Sequence, residues 1–319
     1  MYKQDKRSPG LHIAFPITNT QTVDIMVSKQ EIPVAGLLLT VYGLEEYKAK
    51  GGHGPAAVMF VMHGRLQKRS AVEHVCQALC GINDNSAEKR HLIVVSFDHP
   101  NHGSRLVSKL SNFSWKEGRH ENPYHAQDMW SMFYSSSQTV SALIDVLESY
   151  LFGPQEHKTV EKWGVLGFSM GGHASFMAAA NDPRISVAIP IVGTVDFIGL
   201  MKDRLALSSL DEKAHLPKHF VDMVRERTKD LDQKLKSKNL LMISGEKDKL
   251  VPGAFNKPFV ERLRKCHEGV EGKDWEFVVV PDVGHEWCPP MIDMSVAWCE
   301  QWMAKKEPSS TFTLAKSKL

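Results

Sequence analysis

Residues 164–172 read Gly164-Val165-Leu166-Gly167-Phe168-Ser169-Met170-Gly171-Gly172. The pentapeptide Gly167–Gly171 is a G-x-S-x-G pattern, and its setting carries the weight. It closes a predicted strand, Val160–Leu166, that ends apolar, and opens a small-residue stretch, Gly172–Ala180, with helical character. A sharp strand-to-helix turn holds its central residue in a strained backbone and lifts that side chain clear of the sheet. Glycines two before and two after remove side chains that would collide there. Ser169 is therefore expected as an exposed nucleophile at a helix N-terminus, where developing negative charge is favoured.

Short apolar runs recur on both sides of this turn, at 56–62, 91–97, 185–192, 240–244 and 275–280. Between them lie stretches with helical spacing, at 72–79, 129–151, 254–266 and 291–303. Apolar runs of this length suit strands buried on both faces. Their alternation with helices predicts an α/β fold, a mostly parallel sheet with helices on both faces. Residues 21–42 are expected to add an N-terminal antiparallel hairpin turning near Glu31-Ile32-Pro33. One segment breaks the rhythm. Residues 194–239 are charged and helical and much longer than a simple connection, so they read as an inserted cap over the strand ends.

A serine hydroxyl needs a base, and an imidazole base needs a carboxylate to hold its tautomer. Both follow later runs. Asp248 lies in Gly245-Glu-Lys-Asp-Lys-Leu-Val-Pro252, and His285 lies in Val283-Gly-His-Glu286. The order Ser169, Asp248, His285 is that of the α/β-hydrolases. From about residue 56 to 303 the chain resembles that superfamily, with the nucleophile elbow, the acid loop and the histidine loop all in register. The resemblance implies a serine esterase or thioesterase with Ser169, Asp248 and His285 as its catalytic triad. It also implies an oxyanion hole built from the backbone N–H of Met170 and, by likeness to the family's H-G-x turn at His63-Gly64-Arg65, the N–H of Arg65. No cofactor and no metal are expected.

Other residues invite roles. Glu246 competes with Asp248 as the triad acid, and the spacing favours Asp248. His63 is expected to brace its turn. Asp98, in Asp98-His-Pro-Asn-His-Gly103, is expected to fix loop geometry through Asx-type hydrogen bonds rather than to join His99 and His102 around a metal. His120 and His125, in a polar stretch, are expected to be solvated. Trp287 and Cys288 either line the pocket or pack. Trp115, Tyr124, Trp130 and Phe133 either form an apolar pocket with the cap or fill the core.

Composition agrees with a globular enzyme. The net charge is +2 and 24% of residues are charged, which gives no nucleic-acid footprint. No apolar run approaches the ~20 residues of a membrane span, and the segment Met1–Gly10 is polar. The five cysteines read as reduced thiols, with Cys76 and Cys80 packing a helix. The last three residues, Ser317-Lys318-Leu319, form a peroxisomal import address read by a receptor. They predict a peroxisomal location, with the cytoplasm as the alternative.

The expected organisation is one domain, 1–305, with the cap at about 194–239, followed by a flexible tail, 306–319. The expected reaction is cleavage of a small-molecule ester or thioester of a hydrophobic carboxylic acid. Two alternatives stand beside it: an acyltransferase using the same triad, and a non-catalytic binding module on a hydrolase scaffold. Tail and triad together also resemble peroxisomal hydrolases of fungal toxin-biosynthesis clusters, which would place the substrate in secondary metabolism.

Overall fold

The computed structural model describes residues 27–83, 88–117, 119–154 and 159–314. Its centre is an eight-stranded sheet. In chain order the sheet strands are β1 (Lys29–Val34), β2 (Leu37–Tyr42), β3 (Ala56–Met62), β4 (His91–Phe97), β7 (Val160–Phe168), β8 (Ile185–Ile191), β9 (Asn239–Gly245) and β10 (Trp275–Val280). Two short strands, β5 (Lys116–Glu117) and β6 (His120–Glu121), pair only with each other. Across the large sheet the order is β1-β2-β4-β3-β7-β8-β9-β10. From β4 to β10 all neighbours are parallel, while β2 runs antiparallel to both β1 and β4.

Alternation along each strand divides the core in two. Val58, Phe60 and Met62 of β3 join one apolar cluster, while Ala57, Met59 and Val61 join the other. The first cluster is covered by α1 (Leu44–Ala49), α3 (His125–Phe152), α4 (Met170–Asn181) and α9 (Lys257–Cys266). The second is covered by α2 (Glu73–Cys80) and α10 (Pro289–Cys299). Both faces of the central strands are thus dry, which is why β3 reads as an unbroken apolar run and β4 as a nearly continuous one, without polar alternation. Cys76 and Cys80 are buried in the second cluster as free thiols.

Between β8 and β9 the chain forms α5 (Phe197–Leu207), α6 (Glu212–His215), α7 (Lys218–Thr228) and α8 (Leu231–Leu235). The Asp196 carboxylate caps α5 by accepting from the Gly199 N–H at 2.9 Å, and Asp211 caps α6 in the same way. α5 packs on α3 through Phe197, whose ring lies 5.6 Å from Trp130 and 5.3 Å from Phe133. Trp130 and Phe133 are therefore core residues, and Tyr124 is exposed.

Two expectations change. The hairpin turns at Ala35-Gly36, both with positive φ (48° and 81°), and Glu31–Pro33 lie inside β1. A two-residue hairpin turn requires left-handed backbone, which the Gly supplies more cheaply than a Pro-containing site. Pro33 is tolerated because β1 is an edge strand and its missing N–H disrupts no second ladder. The second change is at the C-terminal side. Residues 309–314, expected to belong to a flexible tail, pack on the body. Leu314 is buried, its N–H donates to Gly272 O at 3.3 Å, and the Phe312 ring lies 5.8 Å from Trp298. Two aromatic or aliphatic side chains in a polar stretch were enough to dock it. Ser317, Lys318 and Leu319 lie outside the described residues. No helix among the described residues is long and apolar enough to cross a membrane.

Candidate active site

In a parallel sheet all strands end at one edge, so the loops that follow them meet there. The loops after β3, β7, β9 and β10 converge at that edge. The turn after β7 is sharp: Ser169 has φ 55° and ψ −112°, a backbone that costs a non-glycine residue on the order of 1–3 kcal/mol. Two hydrogen bonds hold it. The Ser169 N–H donates to Ile191 O at 2.9 Å, and the Gly171 N–H donates to His63 O at 3.1 Å. The flanking glycines are sterically required. A Cβ on Gly167 would sit 2.1 Å from Gly171 O, and one on Gly171 would sit 2.3 Å from Met62 O.

The acid and histidine loops are built against each other. The Lys247 N–H donates to Val283 O at 2.8 Å, and a Cβ on Gly245 would lie 2.5 Å from that same oxygen. Asp248 is buried. Its Oδ1 accepts from the Leu250 and Val251 N–H groups at 2.8 and 2.9 Å, and its Oδ2 accepts from His285 Nδ1 at 2.8 Å. Burial alone would raise the Asp248 pKa, but the His285 hydrogen bond and the two backbone donors outweigh it and hold the carboxyl below its ordinary value. On its other side, His285 Nε2 lies 2.8 Å from Ser169 Oγ. Ser169, His285 and Asp248 thus form one unbroken hydrogen-bonded chain. Glu246 instead accepts from the Asp282 N–H at 3.0 Å, bracing the approach to the histidine loop.

The loop after β3 is held by three buried histidines. His63 Nδ1 donates to Gly64 O at 2.8 Å, and its Nε2 accepts from the His99 N–H at 3.2 Å. His99 Nε2 donates to His63 O at 2.9 Å. His102 Nδ1 donates to Pro100 O, and its Nε2 accepts from the Leu66 N–H at 3.1 Å. Both nitrogens of His63 and of His102 are engaged by neutral tautomers, with backbone groups as partners. Asp98 accepts from the Arg69 N–H and the Ser104 N–H at 2.7 and 2.8 Å and pairs with the Arg69 guanidinium at 2.7 Å, so it braces the loop through a distant arginine and a residue six positions on rather than through Asx-type bonds. Among the described residues no group of three His, Cys, Asp or Glu side chains is placed to hold a metal ion.

A cavity of about 470 Å³ opens over Ser169 and His285. Its walls come from Trp115 before α3, Met129 within it, Arg204 and Leu207 on α5, and Leu250 from the acid loop. His125, expected to be solvated, is buried in this wall. Its Nδ1 donates to Phe113 O at 3.0 Å, and its ring meets Trp115 edge-on at 5.0 Å. Burial, reinforced by Arg65 and Arg204, pushes its pKa down to about 3. The signal lay in the helix period, since His125 stands four residues before Met129 on the same face of α3. His120 is exposed. Trp287 and Cys288 pack away from the cavity, Trp287 stacking on Phe168 at 4.9 Å.

Residues 143–305, which contain Ser169, Asp248 and His285, match the model of the prolyl oligopeptidase family. The chain belongs to the prolyl oligopeptidase family. It is a serine hydrolase of the α/β-hydrolase fold. Solved structures share that fold with this family member at low sequence identity. TT1662 from Thermus thermophilus is 17% identical, covers 87% of this chain and 98% of its own, and has a TM-score of 0.63. A cold-adapted esterase from an Arctic intertidal metagenomic library is 16% identical over 91% of this chain and all of its own (100%), with a TM-score of 0.54. The Pyrococcus furiosus esterase Pf2001 is 16% identical over 87% of this chain and 93% of its own, with a TM-score of 0.52. No curated protein matches the chain in sequence.

Proposed function

We propose that this serine hydrolase cleaves a carboxylic ester or thioester whose acid carries an apolar chain, through an acyl-enzyme. The observation that carries the reading is the chain of 2.8 Å contacts from Asp248 through His285 to Ser169, ending on a strained serine at the floor of a cavity. Ser169 Oγ attacks the carbonyl carbon as His285 Nε2 takes its proton, and Asp248 stabilises the imidazolium. His285 then gives that proton to the leaving alcohol or thiol. Water, deprotonated by His285, releases the acid and restores the serine.

The oxyanion is held in this proposal by the backbone N–H groups of Met170 and Arg65. The exposed side chains of Leu66, Leu207 and Leu250 at the cavity support an apolar substrate. The test is a panel of p-nitrophenyl esters of rising chain length, acyl-CoAs and dipeptidyl p-nitroanilides. A burst of nitrophenol followed by slower steady turnover is expected with the esters. Cleavage of the anilides with no ester turnover would make the enzyme a peptidase instead, and acyl transfer to added alcohol without free acid would make it a transferase.

Import into peroxisomes rests on Ser317-Lys318-Leu319. A fluorescent protein carrying the last dozen residues is expected to become punctate and to co-localise with a peroxisomal marker. A diffuse signal would remove the localisation and leave the hydrolase untouched.

A further inference from the structure

The cavity over Ser169 is lined by four cationic side chains, Arg65, Lys116, Arg204 and Lys249, and by no carboxylate among the described residues. Arg204 is the one whose surroundings are hardest to explain by packing. Its Nη2 donates to Leu250 O at 2.7 Å, its Nη1 meets the weak acceptor Met129 Sδ at 3.8 Å, and its Nε is buried with no hydrogen-bond partner among the described residues. No carboxylate among them forms an ion pair with it. A half-buried guanidinium satisfied by one oxygen, with its Nε wholly buried, is costly unless negative charge reaches it. Burial and then the nearby Arg65 lower its pKa to about 10, although Asp248 and Asp203 pull the other way. Both arginines line the cavity with His125, and both add to the depression of its pKa.

We propose that Arg204, with Arg65 in the same cavity, forms a subsite for an anionic group of the substrate, a carboxylate or a phosphate. This rests on the hydrolase reading of Ser169 and narrows it to esters or thioesters that carry a charged group on the acyl or the leaving side of the scissile carbonyl. An arginine suits that task because its planar donors match carboxylate and phosphate oxygens in pairs. The leucines at the cavity then contact the apolar chain, and the guanidinium receives the charged group.

Two matched substrate pairs separate the sources of the charge. The mono-p-nitrophenyl ester of glutaric acid is compared with its neutral methyl ester, which places a carboxylate on the acyl side. Butyryl-CoA is compared with the N-acetylcysteamine thioester of butyrate, which places phosphates on the leaving side. In at least one pair the anionic member is expected to be favoured in kcat/KM by about a hundredfold, falling to about threefold or less in Arg204→Met and partly restored in Arg204→Lys. Calorimetric titration with glutarate and with inorganic phosphate gives a readout free of turnover, and binding is expected to weaken in Arg204→Met by a similar factor. Hydrolysis of both members of each pair at equal efficiency would overturn the subsite and leave the hydrolase standing. Absence of turnover with anion binding lost in Arg204→Met would do the reverse. If Arg204→Met fails to fold, as judged by circular dichroism, the wild-type ratios and Arg204→Lys decide. A preference that survives every Arg204 variant would assign the anion to other groups and overturn the role of Arg204.

Discussion

Replacing Ser169 with alanine is expected to lower kcat/KM on p-nitrophenyl esters by about ten-thousand-fold or more while changing the unfolding free energy by less than about 1 kcal/mol. The two halves of this expectation have separate causes. Ser169 Oγ has His285 Nε2 at 2.8 Å, and the proposal assigns no other group in the cavity to attack a carbonyl, so its removal leaves only the oxyanion donors and binding to lower the barrier. Stability barely moves because what holds the turn is backbone: the Ser169 N–H to Ile191 O and the Gly171 N–H to His63 O. Alanine keeps the same Cβ, so the strain at φ 55° is unchanged. Asp248→Asn keeps the size of the side chain but offers His285 the wrong partner, and a loss of similar order is expected. Retention of ester turnover in Ser169→Ala would remove Ser169 from the chemistry.

Lowering the pH from 7.5 to 5 is expected to destabilise the fold by roughly 6 kcal/mol or more, measured as the shift in urea unfolding midpoint at constant slope. The cause is a set of histidines buried in the neutral form. Burial pushes His63 and His173 down to about 4 and His125 to about 3, and His99 well below its ordinary value. In the unfolded chain each titrates near 6.5. Between the folded and unfolded values the unfolded state binds more protons, so stability falls as pH falls. The contribution is fully present above about pH 6.5 and is lost progressively toward pH 4. At pH 5 each group costs about 2 kcal/mol, and three or more act together. Asp98 and Asp248, held below their ordinary values, add to the loss only at more acid pH, below the unfolded carboxylate value of about 3.9. The pH 5–6.5 window therefore isolates the histidines. His63 and His102 also carry the loop after β3, since protonating Nε2 of either removes the acceptor for the His99 or Leu66 N–H. Loss of ester turnover is expected to accompany the loss of stability. An unfolding midpoint independent of pH across this window would show that these rings are not held neutral.

What the sequence made legible is what close packing writes into residue types. The elbow was readable because Gly167 and Gly171 leave no room for a side chain, and such constraints survive as glycines at fixed spacing. Asp248 and His285 were readable because each stands just past an apolar run that ends at the same edge of a parallel sheet. Asp98 reads as a loop brace, but its main partner, Arg69, lies 29 residues away and has no local signal. Pro33 reads as a turn residue wherever it occurs, and only its position on an edge strand explains its place inside β1. His125 reads as solvated because it stands in a polar stretch, whereas its burial comes from Trp115 and Phe113, which precede the helix. Arg204 gave no signal at all. It sits in a charged helical segment, and its neighbours, Met129 and Leu250, come from parts of the chain with no local relation to it. Docking of Phe312 and Leu314 is likewise a long-range contact that a polar composition conceals.

The most direct measurement is intact-mass and peptide mapping after treatment with a fluorophosphonate. One adduct per chain is expected, located on Ser169, absent from Ser169→Ala and slowed by several orders of magnitude in a His285→Ala variant. A native enzyme that stays unmodified, or that is modified elsewhere while Ser169 stays bare, would contradict the assignment of Ser169 as the nucleophile.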